Sequence, residues 1–84
     1  MEKEGQLCSL SSVSRLDQKV MIKDFQGPAQ LTERLQELGF CKDEEVVYLG
    51  RAPLRGPMIF RIGTTVIALR EEEAQCLLVQ LSPL

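Results

Sequence analysis

The sequence contains no histidine and no tryptophan, and its aromatic side chains are one tyrosine and three phenylalanines. Without an imidazole the chain lacks the side chain whose charge changes near neutral pH, so any acid–base chemistry would fall to carboxylates, lysines and thiols. None of these is spaced so that a nucleophile meets a base, and no catalytic residue is assigned. The three cysteines, Cys8, Cys41 and Cys76, are odd in number and far apart. That excludes a C-x-x-C ligand pair, disfavours a disulfide framework, and fits reduced thiols that pack as small hydrophobes. With no imidazole either, no metal ligand set and no cofactor site is expected. Ten basic against twelve acidic residues leave a formal net charge of -2, which offers no cationic footprint for nucleic acid. No apolar run approaches the ~20 residues that span a bilayer. The opening Met1-Glu2-Lys3-Glu4-Gly5 lacks the order of a secretory signal, so a cytoplasmic protein is expected. Five glycines, at 27, 39, 50, 56 and 63, fall in neither the P-loop nor the dinucleotide pattern and read as turns.

What is present is enough for one small domain, with 44% hydrophobic and 26% charged residues over 84 positions. Residues 1–15 are polar and serine-rich and read as a loosely ordered N-terminal arm with a short contact segment from Leu7 to Leu10; the domain is expected over 16–84. Alternation in Lys19–Lys23 predicts a first strand with Val20 and Ile22 on one face, ended by the turn Gln26-Gly27-Pro28. The period then changes. Leu31, Leu35 and Leu38 lie at i, i+4 and i+7, which predicts a helix over about 30–38 with these leucines in the core. Gly39 after Leu38 can take the left-handed conformation that closes a helix, with Phe40 as the hydrophobic contact of the cap.

Glu45–Leu49 is β-branched and aromatic and predicts a second strand. Ala52-Pro53-Leu54-Arg55-Gly56-Pro57 cannot be a central strand, because its prolines have no N–H to donate, and it should project from the sheet. Met58–Ile62 and Thr65–Leu69 flank Gly63-Thr64 as a hairpin with glycine at the first central position. Glu71–Ala74 opens a short helical turn over about 71–76, where acidic charge meets the positive end of the helix dipole. Three consecutive helical glutamates point about 100° apart and do not converge on an ion. Leu77–Leu81 alternates as a last strand. Five short strands and two short helices of this size are best satisfied by curling into a small, mainly β, SH3-like barrel that removes exposed edges.

Three segments carry a family resemblance. Arg34-Leu35-Gln36-Glu37-Leu38-Gly39-Phe40 resembles the R-L-x-E-L-G-[LF] helix of the FeoA family of ferrous-iron-transport accessory proteins. Ala52–Pro57 resembles that family's A-P-x-G-x-P loop, and Ile67-Ala68-Leu69-Arg70 with Glu73-Ala74 resembles its L-A-L-R-x-x-E-A ending. The likeness runs from about Ser9 to Leu81. Two turns depart from it: Leu16-Asp17-Gln18 and Lys42-Asp43-Glu44 stand where the family usually has a glycine, so these turns are expected to differ. Arg55 and the adjacent Gly56-Pro57 also change the loop's charge, which bears on partner choice.

The resemblance implies an SH3-like barrel acting on FeoB, a membrane permease, through that protein's cytosolic part, without catalysis of its own. Two other functions remain open: a regulatory module related to the C-terminal domain of metal-dependent repressors, and a small-ligand sensor. For the first function the residues offer one candidate surface. Pro53, Leu54 and Arg55 form either a docking tip or a plain structural turn, and Arg34 beside the leucine stripe forms either an internal salt bridge or a flanking contact.

Overall fold

The computed structural model describes residues 7–82. Its strands are β1 (Cys8–Ser9), β2 (Lys19–Phe25), β3 (Glu45–Arg51), β4 (Met58–Ile62), β5 (Thr65–Leu69) and β6 (Leu77–Leu81). They form one antiparallel sheet in the order β1-β6-β2-β3-β4-β5. Helix α1 (Ala29–Leu38) joins β2 to β3, and α2 (Glu71–Ala74) joins β5 to β6. The sheet curls because β2 and β3 each carry a register shift, between Ile22 and Asp24 and between Tyr48 and Gly50. Such an extra residue bends a strand and raises its twist. The inner face is filled by Val20, Ile22, Val46, Phe60, Leu77 and Val79, all buried. Tyr48 and Phe60 face each other across β3 and β4 with ring centroids 5.6 Å apart and tilted by 53°, a favourable edge-inclined pairing.

The mainly β fold with two short helices agrees with the sequence reading, and the hairpin Met58–Ile62 with Thr65–Leu69 falls on the expected bounds. Gly63 has φ +59° and Thr64 has no positive φ, as a turn with glycine at its first central position requires. Edge removal is incomplete: no ladder joins β1 to β5 among the described residues. Their gap is bridged instead by α2 resting against a single 3-10 turn, Leu10–Ser12.

The loosely ordered arm expected over residues 1–15 is corrected where it can be described. Cys8 and Ser9 pair with Val79 and Leu78, and Leu10 and Val13 are buried in the main core. The contact segment expected from Leu7 to Leu10 does make contact at Leu10, although Leu7 is 45% exposed, whereas Val13 between serines carries no periodicity that marks it as buried. Residues 1–6 lie outside the described part. A boundary at residue 16 therefore divides the core, and the domain begins no later than Cys8.

Helix α1 closes as its sequence predicts. Gly39 has φ +114°, its N–H donates to the Gln36 carbonyl at 3.1 Å, and the Phe40 N–H donates to the Leu35 carbonyl at 3.1 Å. This is the double-bonded left-handed cap, with Leu35 and Phe40 buried as its apolar contact. The leucine stripe is narrower than expected. Leu35 is 1% exposed and Leu31 packs partly on the core, but Leu38 is 41% exposed. At that end of the helix Phe40, folded back by the cap, is the buried side chain instead. The cysteines also divide: Cys76 is buried, whereas Cys8 and Cys41 are exposed and do not act as core hydrophobes.

Each of the two turns where the resemblance lacks its glycine holds an aspartate in a conformation that glycine favours. Asp17 and Asp43 have φ +64° and +67°, and their N–H groups donate to the Tyr48 and Ile22 carbonyls at 2.7 and 2.6 Å. Aspartate tolerates this left-handed region better than most residues, so it substitutes for glycine here.

Candidate functional site

The loop between β3 and β4 is held at its neck by the Ala52 N–H donating to the Pro57 carbonyl at 2.9 Å. Inside it, the Gly56 N–H donates to the carbonyls of Ala52 and Pro53 at 3.2 and 3.1 Å, so Pro53-Leu54-Arg55-Gly56 is a β-turn. Leu54 and Arg55 have φ +61° and +56°. Positive φ at both central residues defines the mirror-image type I′ turn, which ordinarily takes asparagine and glycine. For leucine and arginine the left-handed region costs about 1–2 kcal/mol each, so the surrounding structure must impose it. Gly56 is required by close approach: a Cβ there would lie 2.9 Å from the Ala52 Cβ and 3.1 Å from the Pro53 carbonyl oxygen.

Arg51, at the end of β3, supplies the constraint. Its Nε donates to the Gly56 carbonyl at 2.9 Å, its Nη2 to the Arg55 carbonyl at 3.4 Å and to Glu71 Oε1 at 2.8 Å. Arg55 Nη2 donates to the same Glu71 oxygen at 3.3 Å. One guanidinium thus ties the loop's backbone to the first residue of α2. The Arg51 hydrogen bond, followed by the nearby charges of Arg51 and Arg55, holds the Glu71 carboxyl below the ordinary glutamate value of 4.5. A depressed carboxylate contributes stability above its unfolded value and loses it as pH falls through the folded one, so the tie is intact at neutral pH.

The consequence is a rigid tip carrying Leu54 at 99% exposure, with the Arg55 side chain also in solvent. Pro53 is exposed beside it. Arg34 does not join this tip. It lies 4.0 Å from Glu73 Oε2, and it lines a cleft of about 480 Å³ with Pro57, at the loop's base, and with Leu31, Ala68 and Arg70. A second cleft of about 440 Å³, bounded by Arg55, Gly56, Pro57 and Arg70, continues from it toward the tip. Both readings of Arg34 are therefore compatible with its position, since the ion pair is long and the side chain is 64% exposed.

The sequence does not mark Arg51, and it marks Glu71 only as an acidic residue at a helix start. An arginine at a strand end and a glutamate at a helix start each have ordinary local explanations, and they meet only because β5 returns α2 to the loop. Glu71 is thus more than a solvated helix residue. Glu73 is also engaged: its Oε1 accepts the N–H of the N-cap residue Arg70 at 2.9 Å, the bond that the third residue of a helix makes in a capping box, while its own N–H donates to the Arg70 carbonyl at 3.0 Å. Cys76 is screened from chemistry, since burial and then the nearby Glu73 push its thiol up, and its Sγ–H points at the Glu72 carbonyl at 3.6 Å. Among the described residues no group of three or more Cys, Asp and Glu side chains could hold a metal ion. No described helix is long and apolar enough to cross a membrane.

A comparison with curated proteins gave no significant match. Solved structures do match. A FeoA-like protein from Clostridium acetobutylicum aligns over 96% of this chain and 90% of its own, with a TM-score of 0.81 and 23% identity. FeoA of Stenotrophomonas maltophilia, described as a prokaryotic SH3 domain protein and solved with zinc, is 33% identical over 86% of this chain and 88% of its own, with a TM-score of 0.67. A manganese-dependent transcriptional repressor shares the fold at a TM-score of 0.81 and 16% identity, over 92% of this chain but 37% of its own. The family model for the FeoA domain covers residues 8–81, so this SH3-like chain, with its loop tip and capped helix, belongs to the FeoA family of ferrous iron transport.

Proposed function

We propose that this protein is a non-enzymatic accessory factor of bacterial ferrous iron uptake that works in the cytoplasm and binds the cytosolic part of the FeoB permease. The loop tip is the contact: Leu54 inserts into an apolar site on the permease, Arg55 pairs with a carboxylate beside it, and Pro53 stiffens the approach. Arg34 lies at the flank. The observation that carries this reading is the 99% exposure of Leu54 on a turn whose backbone is left-handed at two non-glycine residues and fastened by Arg51. An apolar side chain presented on a pre-ordered loop loses little conformational entropy on docking. Strain retained in the folded state, moreover, is more common at working surfaces than at plain turns.

The experiment measures ferrous iron uptake in cells that carry the permease and either Leu54→Asp or Arg55→Glu, with each variant first shown to be folded. Both are expected to reduce uptake toward the level of cells lacking the protein, with Leu54→Asp the more severe. Uptake equal to wild type in both variants would refute the tip as the contact. A pull-down from the same cells that returned a DNA-binding protein and no permease would favour the regulatory-module function instead.

A further inference from the structure

We propose that β5 is a self-association edge: it pairs antiparallel with β5 of a second copy, about a two-fold axis through Ile67, to join two sheets into one. The inference goes beyond the loop reading and uses a different surface. Among the described residues β5 is a terminal strand paired with β4 alone. A two-residue turn is closed by a pair that exchanges both hydrogen bonds, here Ile62 with Thr65, and strict alternation then makes Phe60–Ile67 and Met58–Leu69 the next bonded pairs. It follows that the N–H and C=O of Val66 and Ala68 point away from β4. No backbone hydrogen bond satisfies them among the described residues.

Those four groups are self-complementary. Centring the junction on Ile67 sets Val66 against Ala68 of the second copy, and Ala68 against its Val66. Each pair exchanges two hydrogen bonds, and no group on either strand is left over. The side chains agree with that register. Val66, 59% exposed, falls beside the small Ala68 of the other copy on the outer face, and half-buried Ile67 meets its own counterpart where side chains approach most closely. Thr65-Val66-Ile67-Ala68-Leu69 contains no charge, proline or bulge, the devices that ordinarily protect an exposed edge. No like charges would therefore be opposed.

The opposite edge differs, since β1 has only two residues. In the same register the second copy's Gly63-Thr64 tip, small and uncharged, approaches Arg70 and the cleft of about 480 Å³ that Leu31, Arg34 and Pro57 line. Five residues per copy make a small contact, so the dimer should be weak and concentration-dependent.

The test is sedimentation velocity across about 1 μM to 1 mM, with amide hydrogen exchange on the same samples. Ala68→Pro removes the outward donor and leaves every β4 bond intact, and Val66→Lys adds a charge at the junction. Wild type should dimerise as concentration rises, with the Val66 and Ala68 amides becoming protected in step. Both variants should lower the dimer fraction at least tenfold while keeping the wild-type circular dichroism. A wild type that stays monomeric to the highest concentration would overturn the proposal, and so would a dimer undiminished in a folded variant. Protection of these amides only on adding a foreign peptide would likewise overturn it and assign the edge to another chain's strand.

Discussion

Asp17 and Asp43 show how a single residue can hold a turn that glycine usually makes. Each sits at positive φ with its N–H committed to a neighbouring strand, so the backbone there is fixed by the ladder and the side chain must accept it. Asp43 gains something in return, a Lys23 contact at 3.0 Å, while among the described residues Asp17 has no ion pair. Asp17→Gly is therefore expected to stabilise the protein by about 0.5–1 kcal/mol, and Asp17→Val to destabilise it by about 1–2 kcal/mol because a branched side chain fits the left-handed region poorly. Urea unfolding of the three proteins checks both signs. The same reasoning explains why Leu54 and Arg55 stand apart: no strand ladder fixes them, and their conformation depends on Arg51 reaching their carbonyl side from below.

Helix α1 is an element whose length, stop and orientation have separate causes. Its stop is local, since Gly39 and the Leu35–Phe40 cap need only the residues of one turn. Its orientation is not, because the leucine spacing fits more than one rotation against a sheet. The difference is measurable. Leu35→Ala should cost about 2–5 kcal/mol by emptying a filled site, whereas Leu38→Ala should change stability by less than about 0.5 kcal/mol. Equal losses in a thermal or urea melt would mean that the helix turns Leu38 as well as Leu35 toward the core. The β3–β4 loop shows the same division: two prolines mark it as a projection, but its stiffness comes from a guanidinium outside it and a carboxylate twenty residues later.

At the scale of the molecule, the sheet is an SH3-like curl that stops short of a closed ring, with principal extents of 37 × 28 × 24 Å. A ring would have left β5 paired. Among the described residues no ladder closes it, β5 forms one edge, and the segment after β1 adds Leu10 and Val13 to the core. Leu10→Ala is accordingly expected to cost about 2–5 kcal/mol, comparable to Leu35→Ala and far more than a loosely held arm would permit. A denaturation midpoint unchanged from wild type would restore the arm to the status its composition suggests. In so small a domain that loss is a large part of the total, and it bears on the loop through α2, which rests on the Leu10–Ser12 turn and holds Arg51 by Glu71.

The amino-acid sequence by itself determined what depends on neighbours along the chain: the hairpin around Gly63-Thr64, the end of α1 at Gly39, and the projecting Ala52–Pro57 loop. It also carried the family, because the Arg34–Phe40, Ala52–Pro57 and Ile67–Ala74 segments keep the family's order. Tertiary structure alone decided which of Leu31, Leu35 and Leu38 enters the core, that Leu10 and Val13 join it, and that Arg51 and Glu71 fasten the tip. It decided, too, that among the described residues β5 is paired on one side alone. The physical reason is that turns and caps are settled by the bonds of four to six consecutive residues, whereas burial and edge exposure depend on how a bulged sheet curves, a property summed over strands far apart in the chain.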